Sequence, residues 1–122
     1  MTKRLKDTFE LYRLKVTMMH TKDGRKSYSQ QKNGTYFYVS GENLIFPCKD
    51  HSFPMYALAA LLPLLPAKQR VTDPVDWMST DALIADPDPH SGLVYKIERL
   101  GKETFKRSAV TAVKMPGKGR RP

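Results

Sequence analysis

Hydrophobic and polar residues alternate along residues 10–20, ELYRLKVTMMH. A two-residue period is typical of a strand with one face in the core. The positions expected on that face are Tyr12, Leu14, Val16, Met18 and His20. The same alternation in LVYKIERL predicts a second strand over residues 93–100. Shorter or weaker extended segments are expected at residues 35–40, 44–46, 80–85 and 108–115.

The densest apolar run of the chain, residues 53–67, is interrupted by prolines. Pro54 suits the first turn of a helix, where its missing N–H is no loss, whereas Pro63 disfavours helical backbone in the residue before it. We therefore expect one helix from Pro54 to about Leu62, with Ser52 or the next residue as its cap. Pro66 argues against a continuation of this helix beyond Leu62.

This helix carries no polar stripe, so it should be covered on nearly every side. A small sheet alone does not cover it, and we therefore expect a homodimer. The pattern predicts an α+β fold, with a small curved antiparallel sheet of about five strands packed on one central buried helix. It also predicts a single domain over residues 1–115 and a flexible basic tail over residues 116–122. The apolar run is shorter than the roughly 20 residues of a membrane-spanning helix.

The charge of the 122-residue chain, +9 in total, is unevenly divided. Residues 1–32 have nine basic and three acidic side chains, residues 33–95 three and seven, and residues 96–122 nine and two, which gives +6, −4 and +7. The excess at the ends favours solvated, weakly anion-attracting segments, with specific nucleic-acid binding as the alternative. The single cysteine, Cys48, excludes an internal disulfide, and without a secretory segment a cytoplasmic location is expected.

The segment CKDHSFP is the first candidate for chemistry. A helix N-terminus attracts anions, Lys49 would add positive charge, and His51 can transfer a proton near neutral pH. The alternative is structural: Ser52 caps the helix and His51 packs beside Tyr56. Cys48 has no obvious activating cluster, so a nucleophilic role is disfavoured.

The segment DPDPH is the second candidate. In an extended backbone, Asp86, Asp88 and His90 project to one side, where they could gather a divalent cation or perform acid–base work. Asp-Pro pairs are also ordinary turn formers. Trp77 could stack on a planar ligand or, as we favour, fasten its loop to the core. The chain has no glycine-rich phosphate loop and no dinucleotide fingerprint, so no cofactor is predicted.

The chain resembles a family of small, functionally uncharacterised bacterial proteins, often described as uncharacterised repeat proteins. Three stretches carry this resemblance: KNGTYFYVSGENLIFP, SFPMYALAALLPLLP and ADPDPHSGLVYKIERLG. Members show a Lys-x-Gly-Asp strand entry, a Cys-Pro helix start and a Cys-Pro-Asp-Pro loop before a Phe-x-Ile-x-Arg strand. The match covers roughly residues 10–115.

The chain departs from the family pattern at its cysteines. Phe53 and Asp86 stand where the family favours Cys, and Thr35 stands at its acidic position. Because paired Cys positions are neighbours in space, the resemblance implies that the helix start and the Asp-Pro loop approach each other. The pocket that it implies is lined by His51, Ser52, Asp86 and Asp88. The family itself supplies no reaction.

These observations predict a small cytoplasmic homodimer that binds a small anionic or aromatic ligand at the start of the helix. It would act as an accessory subunit or as a modest acid–base enzyme, with His51 as acid or base and Lys49 holding a carboxylate. Asp86 or Asp88 would orient the imidazole. The alternatives are a nucleic-acid-associated protein that uses its basic ends and a structural subunit of a larger assembly. The predicted ligand-binding residues are Lys49, Ser52, Tyr56, Trp77 and His90.

Overall fold

The computed structural model describes residues 6–21, 26–29, 31, 33–47, 52–80 and 82–115. Five strands form one antiparallel sheet in the order β3-β2-β1-β5-β4. They are β1 Thr8–His20, β2 Tyr36–Ser40, β3 Asn43–Ile45, β4 Leu83–Ala85 and β5 Leu93–Lys106. The α+β class and the antiparallel sheet agree with the sequence prediction. The expected tail over residues 116–122 lies outside the described residues.

The two long strands, β1 and β5, pair along their whole length at the centre of the sheet. The register shifts between Tyr12 and Leu14 of β1. These two residues are two positions apart, whereas their partners on β5, Lys102 and Arg99, are three positions apart. The extra residue on β5 is a β-bulge, which absorbs an irregularity without ending the strand. For this reason β5 continues six residues past Leu100, where the predicted strand ended.

One face of the sheet packs against two helices, α1 Met55–Leu61 and α2 Leu65–Gln69. Successive side chains of a strand point to opposite faces of the sheet, so every second residue points toward the helices. These residues and the inner residues of the two helices form one buried cluster. Its members are Leu14, Val16, Met18, Phe37, Val39, Ala57, Leu61, Leu65, Leu93, Tyr95 and Ile97. The alternation in residues 10–20 therefore predicted the core positions Leu14, Val16 and Met18 correctly, but it was wrong for His20, which is exposed at the strand end, and for Leu11, which is buried.

The single central helix that the sequence predicts is instead two short helices. Pro66 lies in the first turn of α2, where a proline needs no N–H partner, so it starts this helix rather than preventing it. Arg99 holds the end of α2: its Nε donates to the Lys68 carbonyl at 2.8 Å and its Nη2 to the Arg70 carbonyl at 2.9 Å. This long-range contact has no local sequence signal. The predicted Ser52 cap is also wrong, since α1 begins after Pro54 without a side-chain cap.

The expectation that α1 is covered on nearly every side is wrong for the single chain. Only Ala57 and Leu61 of this helix are buried, whereas Met55 is 70% and Tyr56 75% exposed. Of its other three residues, two are half-buried and one is exposed. A homodimer that covers the other side stays a prediction, which sedimentation velocity at two concentrations would test. No helix within the described ranges is long and apolar enough to cross a membrane.

The predicted final strand over residues 108–115 is wrong. The chain there forms a one-turn helix, α3 Arg107–Val110, followed by irregular backbone. Asp7, just before β1, explains the difference: its carbonyl accepts the Arg107 N–H at 2.7 Å and its carboxylate accepts the Ser108 N–H at 3.0 Å. These bonds satisfy donors at a helix start from a residue about 100 positions away, which local patterning does not reveal.

Candidate functional site

A cleft of about 480 Å³ opens beside the start of α1. Its first wall is the helix start, with Pro54, Tyr56 and Ala57. Its second wall is the loop of residues 86–91, which we call the Asp-Pro loop, and its floor includes Tyr95 of β5. We call this site the Asp-Pro cleft. The volume lies within the range of small-molecule sites, about 300–1,000 Å³.

The Asp-Pro loop is held by its own carboxylates. Asp86 Oδ1 accepts the Asp88 N–H at 2.8 Å, and Asp88 Oδ1 accepts the His90 N–H at 2.9 Å. The Ser91 N–H donates to the Asp88 carbonyl at 3.0 Å. These are the local bonds expected of Asx turns, so the turn interpretation of DPDPH is correct. Asp86 and Asp88 border the cleft, whereas His90 is exposed and does not line it.

Asp86 is also tied to the core. The Tyr95 hydroxyl donates to Asp86 Oδ2 at 2.6 Å, while the ring of Tyr95 is fully buried. Burial raises the pKa of the Tyr95 phenol, and the hydrogen bond to Asp86 and its negative charge raise it further. Tyr95 is therefore a protonated donor throughout the physiological pH range and fixes one oxygen of Asp86.

The helix wall is positioned by an aromatic anchor. The ring of Phe53 packs edge-on against Phe37, with centroids 4.9 Å apart, and against Tyr95 at 5.5 Å. This anchor leaves Tyr56, three residues on, at the rim of the cleft with most of its ring exposed. The role of Phe53 in the structure is therefore packing.

A third wall of the cleft was missed by the sequence analysis. Tyr28, Ser29 and Gln31 line the cleft. The Tyr28 N–H donates to the Ser91 carbonyl at 2.7 Å, and Gln31 Nε2 donates to Ser52 Oγ at 3.2 Å. The one available signal was Tyr28, a lone aromatic residue in a polar stretch.

Gly92 allows this third wall to approach. Its φ is +71°, and a Cβ atom there would lie 2.6 Å from the Lys26 carbonyl oxygen. Its own carbonyl accepts the Ser27 hydroxyl at 3.1 Å and the Thr21 N–H at 2.9 Å. A side chain would push the third wall away, so the close packing of these two segments requires glycine.

The structure brings together three of the predicted site residues: Tyr56, Asp86 and Asp88 line one cleft. Ser52 joins it indirectly through Gln31. The other predicted residues of the helix start, Lys49 and His51, lie outside the described residues, as does Cys48.

Trp77 does not belong to the cleft. It lies in a 3-10 helix, Trp77–Ser79, and is 69% exposed, so the favoured core interpretation is wrong. The Asp76 carboxylate accepts the Met78 N–H at 2.8 Å and the Lys68 ammonium donates to the Met78 carbonyl at 2.8 Å. These two bonds fasten the turn by its backbone, and the indole is not needed for that.

With this geometry in view, the chain can be compared with known proteins. No family model, curated protein or solved structure matches it. The resemblance to the bacterial repeat family stays a prediction, and the site must be interpreted from its own chemistry.

The described wall of the cleft is negatively charged. It includes two carboxylates, Asp86 and Asp88, and its described residues include no Lys, Arg or His. Three of the described lining residues are tyrosines, Tyr28, Tyr56 and Tyr95. The described part of the chain contains no group of three or more His, Cys, Asp or Glu side chains arranged for a metal ion. The arrangement suits an aromatic ligand with hydrogen-bond donors or a positive charge.

Proposed function

We propose that this protein is a small cytoplasmic binding protein whose Asp-Pro cleft takes a planar aromatic ligand bearing a positive charge or hydrogen-bond donors. The observation that carries the proposal is the position of Asp86 and Asp88 in one cleft with the exposed rings of Tyr28 and Tyr56. Exposed tyrosine rings contribute apolar contact and cation–π attraction, and carboxylates accept hydrogen bonds and select against anions.

This proposal keeps the aromatic half of the sequence expectation and sets aside the anionic half. An anion in the cleft would meet the charges of Asp86 and Asp88, and like charges brought together cost affinity. Asp88 directs only Oδ1 to the loop backbone within the described residues, so its second oxygen can accept a donor from the ligand. Asp86 uses both oxygens internally and contributes charge rather than a new hydrogen bond.

Binding is better supported than catalysis. Acid–base catalysis needs a group that is within hydrogen-bond reach of the reacting proton and is oriented by a third residue. Asp86 orients the Tyr95 hydroxyl and the Asp88 backbone rather than an imidazole. The catalytic version depends on His51, and it would be tested by replacing His51 with Ala once a turnover assay exists.

The test compares two probes of nearly equal shape and opposite charge, benzamidine and benzoate. A ligand at ten times its Kd stabilises the folded state by about 1.4 kcal/mol, which raises Tm by several degrees for a chain of this size. We expect benzamidine to raise Tm and benzoate to leave it unchanged. Equal shifts with both probes, or a larger shift with benzoate, would contradict the proposal.

A matched pair of variants locates the effect. Asp88→Asn retains an oxygen for the His90 N–H but removes the charge, so the preference for benzamidine over benzoate should fall at least about fivefold. Asp73→Asn is the control, because Asp73 forms a similar turn, accepting the Val75 N–H at 2.9 Å, and does not line the cleft. Equal losses in the two variants would show that benzamidine binds elsewhere.

A further inference from the structure

The face of the sheet opposite the helices has its own chemistry. Side chains alternate across a strand, so Arg13, Lys15 and Thr17 point away from the core residues between them. In register, Lys15 lies beside Tyr38 and Glu98, and Thr17 lies beside Tyr36 and Lys96. We call the surface formed by these seven residues the open face. The buried apolar residues of α1 and α2 belong to the core on the other side, so neither of these helices covers it.

Cations and aromatic rings are paired on the open face. The Arg13 guanidinium lies 4.6 Å from the centroid of the Tyr38 ring, and the Lys15 ammonium lies 4.6 Å from that of Tyr36. The two tyrosine rings are 5.6 Å apart and nearly perpendicular. A depression of about 350 Å³ adjoins them, with Lys15 and Lys96 among its lining residues. Glu98 and Glu103 offset part of the charge, the latter 3.8 Å from Arg13.

This combination fits one class of partner. Single-stranded nucleic acids are bound by aromatic rings that stack on bases and by Lys and Arg side chains that follow the phosphates. A duplex is read by an element that enters a groove, which a sheet surface without a protruding helix does not provide. A protein partner fits less well, because Lys and Glu are depleted in protein interfaces and three of the seven residues of the open face are Lys15, Lys96 and Glu98.

We propose that the open face binds single-stranded nucleic acid, with Tyr36 and Tyr38 stacking on bases and Arg13, Lys15 and Lys96 contacting phosphates. In the free protein, Arg13 and Lys15 lie over the rings. An exposed cation–π contact is weaker than a base stacked on an aromatic ring, so bases displace these flexible side chains toward the backbone phosphates. The site lies in the centre of the sheet rather than in the basic tail.

The experiment measures fluorescence anisotropy of labelled ten-residue oligo(U) and oligo(dT), with a duplex of equal length as comparison. Binding to both single strands should exceed binding to the duplex, and the affinity should fall with salt in proportion to the phosphates contacted. Tyr38→Leu should weaken binding about fivefold or more at unchanged salt dependence, because one stacking contact is lost. Lys15→Gln should lower the slope of log affinity against log salt by about 0.7.

Two controls on the helix side of the molecule accompany these variants. Trp77→Leu removes an exposed aromatic ring, and Arg70→Gln removes an exposed cation. Both should bind oligo(U) as the unmodified protein does. Urea unfolding of Tyr38→Leu distinguishes lost binding from lost folding. Tyr38→Phe retains the ring, so it should bind oligo(U) as the unmodified protein does.

Three outcomes would overturn the proposal. The first is equal or tighter binding of the duplex. The second is loss of binding on deletion of residues 116–122 with no effect of Tyr38→Leu or Lys15→Gln, which would place binding in the tail. The third is a dimer that dissociates in Tyr38→Leu without any change in oligo(U) affinity, which would make a second copy of the chain the occupant of the open face.

Discussion

The Asp-Pro cleft and the open face differ in charge because they are built from different parts of the chain. Two of the cleft's walls come from residues 54–91, within the middle segment whose net charge is −4. The cations of the open face, on β1 and β5, lie in the segments of +6 and +7. The sheet order makes those two strands neighbours at its centre. The fold therefore turns an uneven charge distribution along the sequence into two opposite surfaces.

The two surfaces also differ in how they are held. The open face depends on strand register, which many backbone hydrogen bonds maintain. The cleft depends on a few loop contacts that converge on the Ser91–Gly92 backbone, including those to Tyr28, Ser27 and Thr21. A single substitution can therefore remove the cleft while the open face persists.

The largest effect is expected for Gly92→Ala. A left-handed backbone costs a residue with a Cβ about 1–2 kcal/mol, and here the Cβ would also overlap the Lys26 carbonyl oxygen at 2.6 Å. We expect the free energy of unfolding to fall by about 2 kcal/mol or more, measured by urea denaturation. Benzamidine stabilisation should disappear, because Tyr28 is displaced, while oligo(U) binding to the folded fraction should persist.

Gly101→Ala and Gly34→Ala are the controls for Gly92→Ala. A Cβ at Gly101 has no atom within 4 Å, so Ala there should change stability by less than about 0.5 kcal/mol. Gly34 has a φ of +89° but an open surrounding, so Gly34→Ala isolates the backbone penalty. If Gly92→Ala lost no more stability than Gly34→Ala, the close approach of the third wall would be wrong.

An intermediate effect is expected for Tyr95→Phe, which cuts the bond between the cleft and the core. Losing the hydrogen bond to Asp86 should cost about 1 kcal/mol at neutral pH. The pKa of Tyr95 is raised on folding, so its contribution to stability is complete below about pH 10, the ordinary tyrosine value, and is lost as pH rises toward the folded pKa.

The measurement is the free energy of unfolding between pH 8 and 11 for both proteins. The unmodified protein should lose up to about 1.4 kcal/mol per pH unit more than Tyr95→Phe at the alkaline end. Two parallel curves would mean that Tyr95 ionises as easily in the folded chain as in the unfolded one, and would leave Asp86 without its link to the core.

The sheet could be predicted from the sequence because its signals are local. Alternation in residues 10–20 and residues 93–100 identified the two central strands, and DPDPH was correctly interpreted as a turn. The approach of the helix start to the Asp-Pro loop was implied by the family resemblance, and both now line one cleft. The charge of the ends was also visible, but it was interpreted as a solvated tail, since strand pairing between residues 8–20 and 93–106 is not a local property.

The missed features all depend on contacts between distant residues. Arg99 holds the end of α2, Asp7 caps α3, and Gly92 fastens the third wall of the cleft. Each of these contacts joins residues about 30 to 100 positions apart and overrides the local preference of the sequence. Such contacts are determined by tertiary structure alone. Trp77 is the converse case, because its size suggested burial while its turn is fastened by neighbouring backbone atoms.

The smallest effect is expected where the two sites are tested together. Tyr95 points to the cleft and the core, whereas its neighbour Lys96 points to the open face, so the sheet separates the two ligands. At 0.15 M salt the Debye length is about 8 Å, which screens most of the attraction between an oligonucleotide and benzamidinium across that layer. Saturating oligo(U) should therefore change the Kd of benzamidine by less than about twofold, measured by calorimetry. By thermodynamic linkage, saturating benzamidine must change the Kd of oligo(U) by the same factor. A change of fivefold or more, about 1 kcal/mol, would mean that the sheet transmits binding between its faces, and the two surfaces would then form one coupled site.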